Sequence, residues 1–133
     1  MDCCSAAPGS SMAYQLPQPR TILVVEDQQV VRQTIVRGLR ENGYRVIEAS
    51  DGELALSVLA SGVQIDLLVT DIAMPNMGGL ELADVVKSVR HPPILLFVSA
   101  YDLDASVVPG RLLRKPFGTS ELVAEVRRLL GVA

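Results

Sequence analysis

Residues 66 to 89 read DLLVTDIAMPNMGGLELADVVKSV, and this stretch decides the fold. DLLVT (Asp66 to Thr70) is short and almost wholly apolar, as a strand buried on both faces of a parallel sheet must be. DIAMPNMGG (Asp71 to Gly79) carries a proline and paired glycines, which break regular structure and predict a loop. Beyond it Leu82, Val85, Val86 and Val89 recur at i, i+3, i+4 and i+7, the spacing of a helix with one buried face.

The same alternation extends in both directions. TILVV (Thr21 to Val25) predicts another buried strand, and Val31, Ile35 and Leu39 predict the helix after it, stopped by Asn42-Gly43. YRVIEA (Tyr44 to Ala49) mixes polar and apolar residues, as an edge strand does. The stretch from Asp51 to Ser61 puts Leu54, Val58 and Leu59 on one helical face, with Gly62 as its terminator. PILLFVS (Pro93 to Ser99) predicts the fourth strand and RLL (Arg111 to Leu113) the fifth. In the last helix Leu122, Val126, Leu129 and Leu130 face inward, with Gly118 as N-cap and Glu121 three positions on. Five strands alternating with helices imply a doubly wound α/β domain, a parallel sheet covered on both faces.

Composition bounds the function. The chain has 133 residues, 49% of them hydrophobic and 20% charged, which suits one folded domain and argues against global disorder. Its net charge of −3 lacks the basic surplus of a nucleic-acid binder, so no direct nucleic-acid partner is expected. No window approaches a membrane span. Cys3 and Cys4 are adjacent, which excludes a disulfide framework, and His91 is the sole histidine, too few ligands for a zinc site. Residues 1–20 hold three of the eight prolines and no periodic apolar pattern, and are read as a flexible tail before a domain spanning 21–133. These properties predict a soluble, mildly acidic, cytoplasmic domain.

In doubly wound folds, ligands gather at the carboxyl ends of the strands, where strand order reverses. The first strand ends in Glu26-Asp27, the third in Asp71, the fourth in Ser99 and the fifth in Lys115-Pro116. Taken singly, each has an ordinary use as a turn former, a helix cap or a solvated charge. Independent accidents would not all choose one edge of the sheet. Crowded carboxylates repel unless a cation intervenes, and hard oxygen ligands with open positions suit Mg2+. Acids, a hydroxyl and a lysine around such a metal make a phosphoryl-transfer constellation, with a carboxylate as nucleophile.

VVED at Val24 to Asp27, DIAMPNMGG at Asp71 to Gly79, Ser99-Ala100 and KPF at Lys115 to Phe117 together resemble a response-regulator receiver domain, over essentially all of residues 21 to 131. The resemblance implies a flavodoxin-like (βα)5 fold with strand order 2-1-3-4-5. It implies that Asp71 accepts a phosphoryl group from a histidine kinase or phosphotransfer protein, and that phosphorylation and its reversal depend on Mg2+. Asp27 would bind the ion directly, Glu26 through water, and the backbone carbonyl of Ala73 would complete the shell with Asp71. Ser99 and Lys115 would hold the phosphoryl oxygens, and the Lys115-Pro116 bond would be cis. The domain would be a phosphoacceptor rather than an enzyme in the ordinary sense.

Three positions depart from that pattern. Gly78 stands where the family has an aspartate, which predicts a looser turn. Leu112 replaces the aromatic residue that acts as a switch three positions before the lysine. Only fifteen residues separate Ser99 from Lys115, so the fourth crossover helix is expected to be short or irregular. An altered output face suits the terminal receiver of a hybrid histidine kinase or a stand-alone shuttle, because only Gly131-Val132-Ala133 follow the last helix. The alternative is a pseudo-receiver, a protein-interaction module that works without phosphorylation, against which the intact acids argue. A haloacid-dehalogenase-type phosphatase would need a second acid where Ala73 stands.

Overall fold

A computed structural model describes residues 19–101, 103 and 105–131. Residues 1–18, most of the expected tail, lie outside that range, as do Asp102 and Asp104. Five strands, β1 (Thr21–Val25), β2 (Arg45–Ala49), β3 (Leu67–Asp71), β4 (Ile94–Ser99) and β5 (Arg111–Arg114), alternate with four helices, α1 (Gln29–Glu41), α2 (Gly52–Ala60), α3 (Gly79–Val86) and α4 (Thr119–Leu130). All strand pairs are parallel and the order is β2-β1-β3-β4-β5, the flavodoxin-like topology that the resemblance implies.

Successive strand residues point to opposite faces, and each face buries a separate core. Ile22, Val24, Leu67, Val69, Leu96 and Val98 pack against Ile35, Val36 and Leu39 of α1 and Leu122, Val126 and Leu130 of α4. The alternate residues Leu23, Val25 and Leu68 pack against Ala55 of α2 and Leu82 and Val86 of α3. Continuous apolar strands are therefore satisfied on both sides. At the start of α4 the Gly118 N–H donates to Glu121 Oε1 at 3.1 Å, so the expected cap is made by the glutamate side chain.

Two helix faces turn differently from their apolar spacing. Leu54 and Val85 are 49% and 43% exposed, although their spacing predicts that both face inward. Small residues hold the inward positions instead, Ala55 in α2 and Ala83 in α3, because they let the helices lie close against the sheet. Val89 lies past the end of α3, where its N–H closes a tight turn onto Val86 O. Boundaries shift by a residue for local reasons. Asp66 precedes β3, and its Oδ2 accepts the Thr21 N–H at 2.8 Å. Tyr44 and Pro93 likewise lie just outside β2 and β4.

Between β4 and β5, where the other crossovers place a helix, the described residues form only a three-residue 3-10 turn, Ala105–Val107. Val108 fills part of the missing helix's place, packing with Phe97 and Ala83 against half-buried Leu95 and Leu112. Gly110 approaches the sheet so closely that a Cβ there would lie 2.8 Å from Leu95 O. The short crossover expected from residue count is what the chain forms.

Candidate functional site

The strand registers bring the motif residues to one rim. Val25 of β1 pairs with Thr70 of β3, and Asp71 with Val98 of β4, so Glu26, Asp27, Asp71 and Ser99 emerge at the same carboxyl edge. The Lys115 N–H continues the β4–β5 ladder onto Ser99 O at 2.8 Å, which aims its side chain along that edge. Glu26, Asp27 and Asp71 each present a carboxylate oxygen within 4.8 Å of the others. Lys115 Nζ reaches two of them, Asp71 Oδ2 at 2.7 Å and Glu26 Oε1 at 2.9 Å. The Lys115-Pro116 bond is cis.

Asp71 is held at both oxygens, since the Ala73 N–H donates to its Oδ1 at 3.0 Å. The loop that follows turns back tightly rather than loosely. The Gly79 N–H donates to Ile72 O at 2.9 Å, and Asn76 takes a left-handed φ of 70°. At Gly79 a Cβ would press into Asp71 O, and at Gly78 it would lie 2.8 Å from Ile72 O. The position where the family has aspartate thus sits where a side chain would meet backbone. Met74 and Met77 pack onto the α2–α3 core, and His91 is exposed in the turn before β4, both as ordinary structure.

Burial pushes the Glu26 carboxyl above its ordinary range, and repulsion from Asp71 adds to this, while hydrogen bonds from Lys115 Nζ and the Gln28 N–H work against it. Burial works to lower Lys115, but its bonds to Asp71 and Glu26 outweigh that and hold the amine above its usual value. Lys115 is therefore an ammonium throughout the neutral range. Three carboxylates still face that one ammonium. Glu26 is wholly buried and Asp71 nearly so, whereas Asp27 is exposed to solvent. Hard oxygen donors, excess negative charge and one open side fit Mg2+, which keeps several waters and takes few protein carboxylates.

Ser99 is completely buried, and its Oγ accepts the Tyr101 N–H at 3.0 Å, so the hydroxyl is tied to the start of the shortened crossover. Leu112 packs with Phe97 and Val108 on the sheet face beside the shortened crossover. Arg32 is a side chain beside the site that motif reading passes over. Its Nη1 donates to Glu26 O at 2.8 Å and its Nε to Glu48 Oε1 at 3.0 Å. Nothing in its spacing separates it from the other arginines of α1.

The family model of the response regulator receiver domain matches residues 22–127. The chain belongs to that family. The receiver is 38% identical over 118 residues to the response regulator MprA of Mycolicibacterium vanbaalenii, covering 84% of this chain and 51% of that protein. It is 36% identical over 126 residues to the sensor kinase CckA of Brucella abortus, covering 89% of this chain and 13% of the relative. Among solved structures it resembles the receiver domain of a hybrid histidine kinase CckA, with a TM-score of 0.74 and 34% identity over 83% of this chain and 98% of that one. It also resembles TrrA of Thermotoga maritima, solved in complex with Mg2+-BeF, with a TM-score of 0.72 and 31% identity over 83% and 98% of the two chains. The chain spans about half the length of MprA and a small part of CckA. Among the described residues no helix is long and apolar enough to cross a membrane.

Proposed function

We propose that this receiver takes a phosphoryl group onto Asp71 from the phosphohistidine of a histidine kinase or phosphotransfer protein, in the cytoplasm and with Mg2+. The observation that carries it is the pairing of Asp71 with Lys115 beside two further acids at the strand-end crevice. A carboxylate oxygen of Asp71 attacks phosphorus, the P–N bond to the imidazole breaks, and the imidazole leaves with that electron pair. Asp27, Asp71 and the Ala73 carbonyl would hold Mg2+ directly and Glu26 through water, and the ion would supply positive charge to the phosphoryl oxygens.

The chain's own groups do the remainder. Lys115 holds a phosphoryl oxygen in place of one of its two present carboxylate partners, and the Ser99 hydroxyl donates to another. The Ala73 N–H steadies Asp71 Oδ1 during attack. Water later attacks phosphorus, the P–O bond to Asp71 breaks, and inorganic phosphate leaves with the carboxylate restored, so the cycle is self-limiting. A relative solved with Mg2+-BeF and one named as a sensor kinase support this reading. Incubation with Mg2+ and acetyl phosphate, followed by intact mass measurement, tests it: the wild type should gain one phosphoryl mass and Asp71→Asn none. Equal uptake by the variant would refute the assignment.

A further inference from the structure

The acidic loop Glu26–Gln28 hangs between the last residue of β1 and the first turn of α1, and its shape decides where Asp27 points. The Glu26 N–H is fixed by Ala49 O at 3.1 Å, and its carboxylate by Lys115 and the Gln28 N–H. Its carbonyl is fixed by Arg32 Nη1 at 2.8 Å, reaching back from the first turn of α1. The same guanidinium is anchored by Glu48 at the end of β2, and the Arg32 side chain is only 14% exposed.

We infer that Arg32 is a positioning residue for the metal site: its fork clamps the Glu26 carbonyl to Glu48 and thereby holds Asp27 in place for Mg2+. The inference rests on the metal reading above. A planar guanidinium can serve two acceptors at fixed angles, which a lysine cannot. Groups that orient ligands from behind typically cost tenfold or more in metal affinity when removed. Electrostatics alone acts in the opposite sense. Arg32 is a cation beside an acidic site, so deleting its charge without loss of shape would tighten Mg2+ binding. Direction therefore separates the two roles.

Mg2+ affinity of the full chain, measured by isothermal titration calorimetry, is the test, with thermal unfolding of each variant in EDTA alongside it. Arg32→Ala should bind Mg2+ about tenfold more weakly than wild type. Arg32→Lys keeps the charge but loses the fork, and should also bind several-fold more weakly. Arg40→Ala is the control for mere helix tethering, because Arg40 Nη2 donates to Val46 O at 2.9 Å on the same two elements, away from the acids. It should lower stability and leave Mg2+ affinity unchanged. Wild-type or tighter affinity in Arg32→Ala, or in Arg32→Lys where the alanine variant does not fold, would overturn the inference. So would an equal loss of affinity in Arg40→Ala. If Asp27→Ala binds as wild type does, the metal reading itself fails; if Asp27→Ala is impaired and the Arg32 variants are not, only the positioning role fails.

Discussion

Lys115 Nζ lies 2.7 Å from Asp71 Oδ2, although the two residues stand 44 positions apart in the chain. With Glu26 at 2.9 Å on its other side, this ammonium is, among the described residues, the cation inserted between the acids. Lys115→Met should therefore leave two buried carboxylates without their partner and cost about 2 kcal/mol of stability in EDTA. Saturating Mg2+ should recover much of that loss, because a second cation then relieves the same repulsion. Thermal unfolding of both proteins with and without Mg2+ checks this. An equal deficit under both conditions would contradict it.

Glu26 gives a pH dependence. Its carboxyl is raised in the folded state, so the folded protein binds a proton more readily than the unfolded chain there. Stability from this group is then greatest at low pH and falls as pH rises from the ordinary glutamate range through the raised value. Glu26→Gln has no proton to lose over this range. In EDTA its stability relative to wild type should improve as pH rises above the ordinary glutamate range. A relative stability of the variant that stays constant or worsens as pH rises would show that burial does not dominate at Glu26.

Gly79 is required by contact rather than by backbone conformation. A methyl group there meets the Asp71 carbonyl, and backbone cannot yield as a flexible side chain can. Gly79→Ala should cost roughly 1–3 kcal/mol and slow phosphoryl uptake at Asp71 by displacing it. Gly131→Ala, at the αL cap of α4, should lower stability without changing uptake, which makes it the comparison.

These positions mark what the sequence does and does not expose. β1, β3 and β4 are legible because residues buried on both faces must be continuously apolar. The acids, Ser99 and Lys115 are legible because each ends a strand, and strand order dictates their convergence. Leu54 and Val85 mislead because periodicity weighs large apolar residues, while packing distance is set by the small ones, Ala55 and Ala83. The close approach of Gly79 to Asp71 and the reach of Arg32 to Glu26 depend on three-dimensional placement that no spacing rule encodes.

The shortened crossover should change how the domain signals. Ser99 Oγ accepts the Tyr101 N–H, so moving the hydroxyl toward a phosphoryl group should pull on the start of this segment. Leu112 has no hydroxyl to exchange between inward and outward bonds and is already packed against Phe97. With Mg2+ and beryllofluoride bound, backbone NMR shifts should be largest over residues 99–104 and small at the Leu112 methyls. A large movement at Leu112 with residues 99–104 unchanged would contradict this.

The nucleophile is tested most directly by trapping. An aspartyl phosphate is an acyl phosphate, and borohydride reduces it to homoserine at the residue that carried the phosphoryl group. After incubation with a phosphorylated histidine kinase and Mg2+, reduction and peptide mass mapping should find homoserine at position 71. Homoserine at another aspartate, or phosphate remaining on Ser99 with Asp71 unmodified, would contradict Asp71 as the phosphoacceptor.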